Sequence, residues 1–218
     1  MGQGTYKVQV GSQELEIPLV PIAQDLTIAL LISVDLGVAF AEIAGGELAA
    51  ELAPYDAEIV VSVATMGIPI AIEVTRALGL DDYVILHKTP KIHLADAIAE
   101  PVRSITTATS QRLLFDRARL EAVVGRRVAV VDDVISTGGS TKAALNLMRR
   151  VGAEPVVVGA VVTEGAQWRS YLGEDAALVR ALGAIPLFRH GPDGSLIEDW
   201  EGAGGSTTAE AASSTREG

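Results

Sequence analysis

The sequence predicts an α/β fold, a central parallel β-sheet flanked by helices, and three observations point there. Two stretches each run strand, loop, helix, strand: Glu58 to Leu86, and Val128 to Thr163. Their first strands, EIVVSVA and VAVV, are almost continuously apolar, as strands covered on both faces must be. The chain has 218 residues, 49% of them hydrophobic, which is enough for one substantial core.

Taken in order, Tyr6 to Val10 and Leu15 to Val20 read as strands of a hairpin turning at Gly11-Ser12. Leu26 to Ile32 is an apolar run whose periodicity fits helix or strand equally. From Ser33 the spacing of Val34, Val38 and Ala41 predicts a helix, interrupted at Gly37 and at Gly45-Gly46 and ending near Leu52. Residues 1–55 thus form a small N-terminal hood and first helix, either a lid or a packed layer. The core occupies residues 56–200. Within it, Glu58 to Ala64 is a strand and Thr65-Met66-Gly67 a turn. Pro69 stands in a first helical turn, and Ile72, Thr75 and Leu78 continue an inward face. Tyr83 to Leu86 is the next strand.

Thr89 to Gln111 breaks the alternation. It carries Pro90 and Pro101 and many hydroxyl residues, and it predicts a flexible β-hairpin lid with strands near Val102 to Thr107 and Arg112 to Phe115. An ordinary hairpin is the plainer alternative. Beyond Val128 to Val131 come a helix with Ala144, Leu147, Met148 and Val151 on one face, and a strand from Pro155 to Thr163. A short helical piece holds Trp168 and Tyr171, and the last strand runs from Ile185 to Phe188. Residues 201–218 are Gly, Ala, Ser, Thr and Glu with little to bury, and read as a disordered tail.

The charge is -11, which argues against a nucleic-acid partner, although a local basic cleft remains compatible with it. No cysteine is present, which excludes disulfides, thiolate catalysis and cysteine-based zinc sites. The start MGQGTYKVQV lacks a signal-peptide layout, and the apolar run between Asp25 and Asp35 is too short to span a bilayer. A cytoplasmic protein with no membrane partner is the expectation.

The chemistry concentrates in VAVVDDVISTGGST, Val128 to Thr141. Gly138 and Gly139 allow a tight turn and close approach to a ligand. Backbone N–H groups of Thr137 through Ser140 fall at a helix start, where unsatisfied donors favour a phosphate. The hydroxyls of Ser136, Thr137, Ser140 and Thr141 add donors. Phosphate repels carboxylates, so Asp132 and Asp133 suit sugar hydroxyls or a hydrated Mg²⁺. A capped strand-to-helix turn is the bland alternative. The Lys of a Walker loop is absent.

This stretch resembles, without gaps, the phosphoribosyl-pyrophosphate (PRPP) motif of the type I phosphoribosyltransferases, and the order of elements from Glu58 to Phe188 is similar to that family's fold. The resemblance implies transfer of phosphoribose from PRPP to a purine-like base, with Mg²⁺ as cofactor and a homodimer as assembly. Asp132 and Asp133 would meet the ribose hydroxyls, directly or near Mg²⁺ and its waters. Ser136, Thr137, Gly138, Gly139, Ser140 and Thr141 would hold the 5′-phosphate. Ala64, Thr65, Met66 and Gly67 match the pyrophosphate loop, often of unusual or cis backbone in the family. Lys88 stands where the family has a basic pyrophosphate contact, with Lys91 assisting; a solvated surface lysine is the alternative. The ATMGIPIA stretch is most like adenine and archaeal hypoxanthine/guanine enzymes.

Two departures leave the general base unidentified. Thr107 aligns where adenine enzymes carry a catalytic Glu, and Ser136 stands where another subgroup has Asp. Asp132, Asp133, Glu100 and His93 are acceptors that spacing alone does not separate. Glu164 and Trp168 are candidates to read the base, against a core role for the tryptophan. A PRPP-sensing regulator without transferase activity, or a transferase for a deazapurine, are the other readings.

Overall fold

The computed structural model describes residues 4–94, 96–102 and 111–202. The lid positions 103–110, with Thr107, and the tail 203–218 lie outside the described residues. Strands β1 (Thr5–Val10) and β2 (Gln13–Ala23) form the expected hairpin, with Val10 opposite Gln13. Val8, Val10 and Ile17 are buried between exposed or half-buried neighbours, the period of a half-buried strand. The ambiguous run resolves as β3 (Leu26–Ala29), because β2 offers it an antiparallel edge.

Helix α1 (Gly37–Leu52) follows a short 3₁₀ turn and runs unbroken through Gly45 and Gly46, contrary to the expected interruption. Tertiary packing is the reason. A Cβ on Gly45 would lie 2.3 Å from Glu73 Cβ in the next helix, so this glycine permits a close helix–helix approach. The buried face is Phe40, Ala41, Ala44, Gly45, Leu48, Ala49 and Leu52, whereas Val38, read as inward, is 79% exposed and Val34 is exposed as well.

The core then alternates as expected: β4 (Ile59–Val63), α2 (Gly67–Ala77) and β5 (Tyr83–Leu86). The inward face of α2 centres on Ile70, Ala71 and Val74 with Thr75; Ile72 and Leu78 are only half-buried. The hairpin pairs β6 (Ile98–Val102), which begins before the predicted strand and includes Pro101, with β7 (Gln111–Phe115); of the predicted strand only Val102 lies within the described residues. After α3 (Leu120–Val123) come β8 (Arg127–Ile135), α4 (Gly139–Arg150), β9 (Glu154–Glu164) and α5 (Gln167–Leu172).

The predicted final strand over residues 185–188 is divided at Pro186, which has no N–H to donate. Ile185 ends β10 (Val179–Ile185) and Leu187 begins β11 (Leu187–His190), followed by β12 (Leu196–Asp199). Strand β10 escaped sequence reading because Ala181, Gly183 and Ala184 give it weak strand character. Its Gly183 admits the hood: a Cβ there would sit 2.4 Å from the Gln9 carbonyl oxygen.

Two sheets result. The central one has the order β10-β9-β8-β4-β5 and is parallel throughout. The hood sheet, β1-β2-β3-β11-β12, is antiparallel and draws strands from both ends of the chain. Strand alternation divides the core. Val60, Ala129 and Val131 pack toward α1, α2 and the hood, while Val61, Val128 and Val130 pack toward α4, α5 and the lid strands.

Candidate active site

The functional stretch lies at the C-terminal end of the parallel sheet, where open α/β sheets form their binding crevices. Strand β8 extends through the acid pair to Ile135, so Asp132 and Asp133 are strand residues held by pairing with β9 rather than by a loop. Asp132 Oδ1 accepts the Asp133 N–H at 3.0 Å. Burial pushes both carboxyls above the usual carboxylate range. Asp132 is raised furthest, because the charge of Asp133 adds to its desolvation and the Lys88 ammonium only partly offsets this.

The loop from Ser136 to the start of α4 has Gly138 at φ +81°, a left-handed conformation that favours glycine. Trp168 and Leu172 of α5 close in behind it: a Cβ on Gly138 would lie 3.3 Å from Leu172 Cγ and 3.4 Å from Trp168 Cβ. Opposite stands the turn at residues 64–67, with a cis peptide between Ala64 and Thr65. The Ala64 N–H donates to the Leu86 carbonyl at 2.9 Å, which ties this turn to β5.

These segments meet. A cavity of about 180 Å³ is lined by Ala64, Thr65, Met66, Lys88, Asp132, Asp133 and the whole run from Val134 to Thr141. Gly67 abuts it without lining it: a Cβ there would fall 2.7 Å from Asp132 Oδ1. Lys91 is exposed and outside the cavity lining, so the assisting role expected for it finds no support in its position. A second, larger cleft of about 660 Å³ adjoins the first through Asp133, Val134, Ser136 and Thr137. The hood supplies its apolar wall, including Leu26, Ile28, Leu30 and Leu31, and Glu164 and Gln167 lie on the core side.

Glu164 is 6% exposed, and the Ser136 hydroxyl donates to its Oε2. Burial pushes this carboxyl up as well, against the opposing effect of the Ser136 bond. Trp168 takes no part in either cavity lining. It is 2% exposed, its indole N–H donates to the Gly165 carbonyl at 3.1 Å, and it supports the glycine loop from beneath. The core alternative is therefore the correct one for this residue. Glu100, a candidate proton acceptor, is engaged with Arg150 of α4 at 2.8 Å at the base of the lid. His93 belongs to a 3₁₀ turn, and its side chain lies outside the described residues.

Sequence reasoning missed Ser33. Its Oγ lies 2.7 Å from the Met66 carbonyl, to which it donates, and 3.4 Å from Asp133 Oδ2. It joins the entry of α1 to the 64–67 turn and the acid pair. Nothing local marks it, since the contact spans 33 residues to Met66 and 100 to Asp133.

Fold and site together define an α/β protein with an acid pair and a glycine-hydroxyl loop converging on one crevice. The phosphoribosyl transferase domain family matches residues 39–173, more than half of the chain, and the chain belongs to that family. A xanthine phosphoribosyltransferase of Laribacter hongkongensis is 29% identical over 156 residues, 71% of this chain and 77% of that one. An adenine phosphoribosyltransferase of Streptomyces avermitilis is 35% identical over 124 residues, 52% of this chain and 65% of that one. An orotate phosphoribosyltransferase of Caldanaerobacter subterraneus is 31% identical over 123 residues, 56% of this chain and 53% of that one. Among solved structures, adenine phosphoribosyltransferase from Thermoanaerobacter pseudethanolicus superimposes with a TM-score of 0.63 at 16% identity, over 78% of this chain and 95% of that one. The Giardia lamblia enzyme complexed with 9-deazaadenine gives 0.64 at 18% identity, over 77% and 93%. At such identities the likeness establishes the fold. No described helix is long and apolar enough to cross a membrane.

Proposed function

We propose that this protein transfers the 5-phosphoribosyl group of PRPP to a purine base, giving a nucleoside 5′-monophosphate and pyrophosphate. One observation carries the reading: the acid pair, the glycine-hydroxyl loop, the 64–67 turn and Lys88 line a single cavity, and a cleft large enough for a base opens from it. In this reading the 5′-phosphate sits on the N–H groups and hydroxyls of Ser136 to Thr141 at the start of α4. Asp132 and Asp133 accept hydrogen bonds from the ribose hydroxyls. The pyrophosphate lies between Lys88 and the turn at residues 64–67.

The bond from C1′ to the pyrophosphate oxygen breaks as a ring nitrogen of the base bonds to C1′, and the proton of that nitrogen passes to water or to the released pyrophosphate. Positive charge grows on the sugar and negative charge on the leaving group. The carboxylates of the acid pair favour the first, and the Lys88 ammonium favours the second. The lid hairpin excludes water that would hydrolyse the activated sugar.

The donor set fits a hydrated Mg²⁺. Two adjacent carboxylates face one cavity, and the described residues contain no group of three carboxylate, imidazole or thiolate ligands. Such an ion takes one or two carboxylates and completes its shell with water and substrate oxygens. When bound, it would neutralise charge on the pyrophosphate.

The test is to incubate the protein with PRPP, Mg²⁺ and a panel of adenine, hypoxanthine, guanine, xanthine and orotate while measuring pyrophosphate. Release with a purine is expected. No release with any base sinks the proposal.

A further inference from the structure

The larger cleft has a charge pattern that discriminates among bases. Its apolar wall comes from the hood, mainly Ile22, Leu26, Ile28, Leu30, Leu31 and Leu187. Its polar groups on the other side include two buried carboxyls, Asp133 and Glu164. Among the described residues that line it, none is Lys, Arg or His. Glu164 has one oxygen occupied by the Ser136 hydroxyl. A carboxylate offers about four acceptor sites, so capacity remains on the group.

We infer that Glu164 is the specificity-determining residue of this cleft, accepting a hydrogen bond from an N–H of an uncharged, flat nitrogen heterocycle, and that anionic bases are rejected. The inference rests on the phosphoribosyltransferase reading of the adjoining cavity. Its physical basis is asymmetric. A carboxylate-bearing base such as orotate would be desolvated against apolar side chains and two acids, with no cation among the described lining residues to receive it, which is costly. A neutral purine places its faces on the aliphatic wall and an N–H on Glu164, and a base lacking that donor would leave the remaining acceptor capacity of Glu164 unused. Glu164 ends β9, a central strand, so its position is set by the sheet and not by a loop. Its bond to Ser136 joins the base cleft to the first residue of the glycine-hydroxyl loop, so that the base and the sugar phosphate share one support.

The test uses calorimetric binding of free adenine, hypoxanthine, guanine, xanthine and orotate, and separately of PRPP with Mg²⁺. The wild type is compared with Glu164→Leu, Glu164→Gln and Ser136→Ala. Expected are binding of at least one purine, no detectable orotate binding, and a loss of about tenfold or more in purine affinity for Glu164→Leu, partly recovered in Glu164→Gln. Glu164→Leu and Ser136→Ala remove the same loop bond, so PRPP affinity of Glu164→Leu should fall no further than that of Ser136→Ala, while Ser136→Ala should keep its purine affinity; retained PRPP binding also shows that the variant is folded. Purine affinity unchanged in Glu164→Leu overturns the inference, and so does orotate bound as tightly as a purine. If PRPP affinity falls in step with purine affinity, and Ser136→Ala reproduces the loss, Glu164 is only a tether for the loop and the inference fails. Because base binding is read without turnover, an absence of pyrophosphate release would sink the proposed reaction while leaving this result to stand or fall separately.

Discussion

Gly67 and Asp132 are in contact at the start of α2: a Cβ on the glycine would lie 2.7 Å from Asp132 Oδ1 and 2.6 Å from the Ser62 Oγ. The first residue of one helix therefore leaves room for a carboxylate on the neighbouring strand. Both strands pair in register, Ser62 opposite Val131, so neither wall can retreat without breaking the sheet.

Replacing Gly67 with alanine should consequently displace Asp132. The expected cost is about 1–3 kcal/mol of stability, the range for a side chain forced into a packed site. Pyrophosphate release should fall more than the loss of folded protein explains. Thermal melts beside steady-state rates check this, and a Gly67→Ala variant with wild-type kcat/KM would contradict it.

The acid pair should make the unliganded protein less stable as pH rises. Both carboxyls hold their protons more tightly folded than unfolded, because burial disfavours their charge and, for Asp132, the Asp133 charge adds to it. Their contribution is thus complete below the ordinary carboxylate value of 3.8 and is lost as pH climbs through the raised values, with Glu164 acting in the same sense. Asp132→Asn removes one of the like charges. It is expected to raise the Tm at neutral pH and to flatten the pH dependence, while lowering turnover by about tenfold or more through the lost charge-assisted hydrogen bonds. A neutral-pH Tm below that of wild type would refute the electrostatic account.

Asp175 predicts the opposite slope. The Arg149 guanidinium, with the Lys142 ammonium, holds this carboxyl at about 2, below its usual 3.8. Distances are 2.5 Å to Arg149 Nη2 and 2.8 Å to Lys142 Nζ. The stabilisation is complete above pH 3.8 and disappears as pH falls through about 2. Both cations are partly exposed, so screening limits the pair to about 1 kcal/mol. Asp175→Asn should lower stability by that amount at neutral pH and by only a small part of it near pH 2, as urea unfolding at the two values would show.

Gly45 and Gly46 are adjacent in α1 and should respond in opposite directions. Gly45→Ala drives a Cβ against Glu73 and is expected to destabilise by about 1–3 kcal/mol. Gly46 has nothing within 4 Å of that position, so Gly46→Ala should stabilise by about 0.5–1 kcal/mol through helix propensity. Two single-variant melts decide it.

Local pattern revealed much of this site. Strand, acid pair, glycine loop and helix follow one another within 14 residues, 128–141, and each type of residue states its own chemistry. The length of β8 was underestimated because carboxylates are poor strand formers, yet pairing with β9 carries the strand through both. Trp168 shows the opposite limit. Its composition fits stacking on a base, but the direction of its ring depends on α5 packing behind Gly138, which no periodicity encodes.

By itself, the sequence determined the parallel core apart from β10, the order of its strands β4, β5, β8 and β9 with their helices, and the glycine-hydroxyl loop, since apolar period and glycine placement are local properties. Only the tertiary structure decided which helix face is buried, that the hood sheet takes strands from both chain ends, and that Glu164, Ser136 and Ser33 meet the acid pair's surroundings. The physical reason is separation along the chain. Contacts such as Ser33 with Asp133, 100 residues apart, arise from how layers close on one another, and each partner carries no mark of the other until they do.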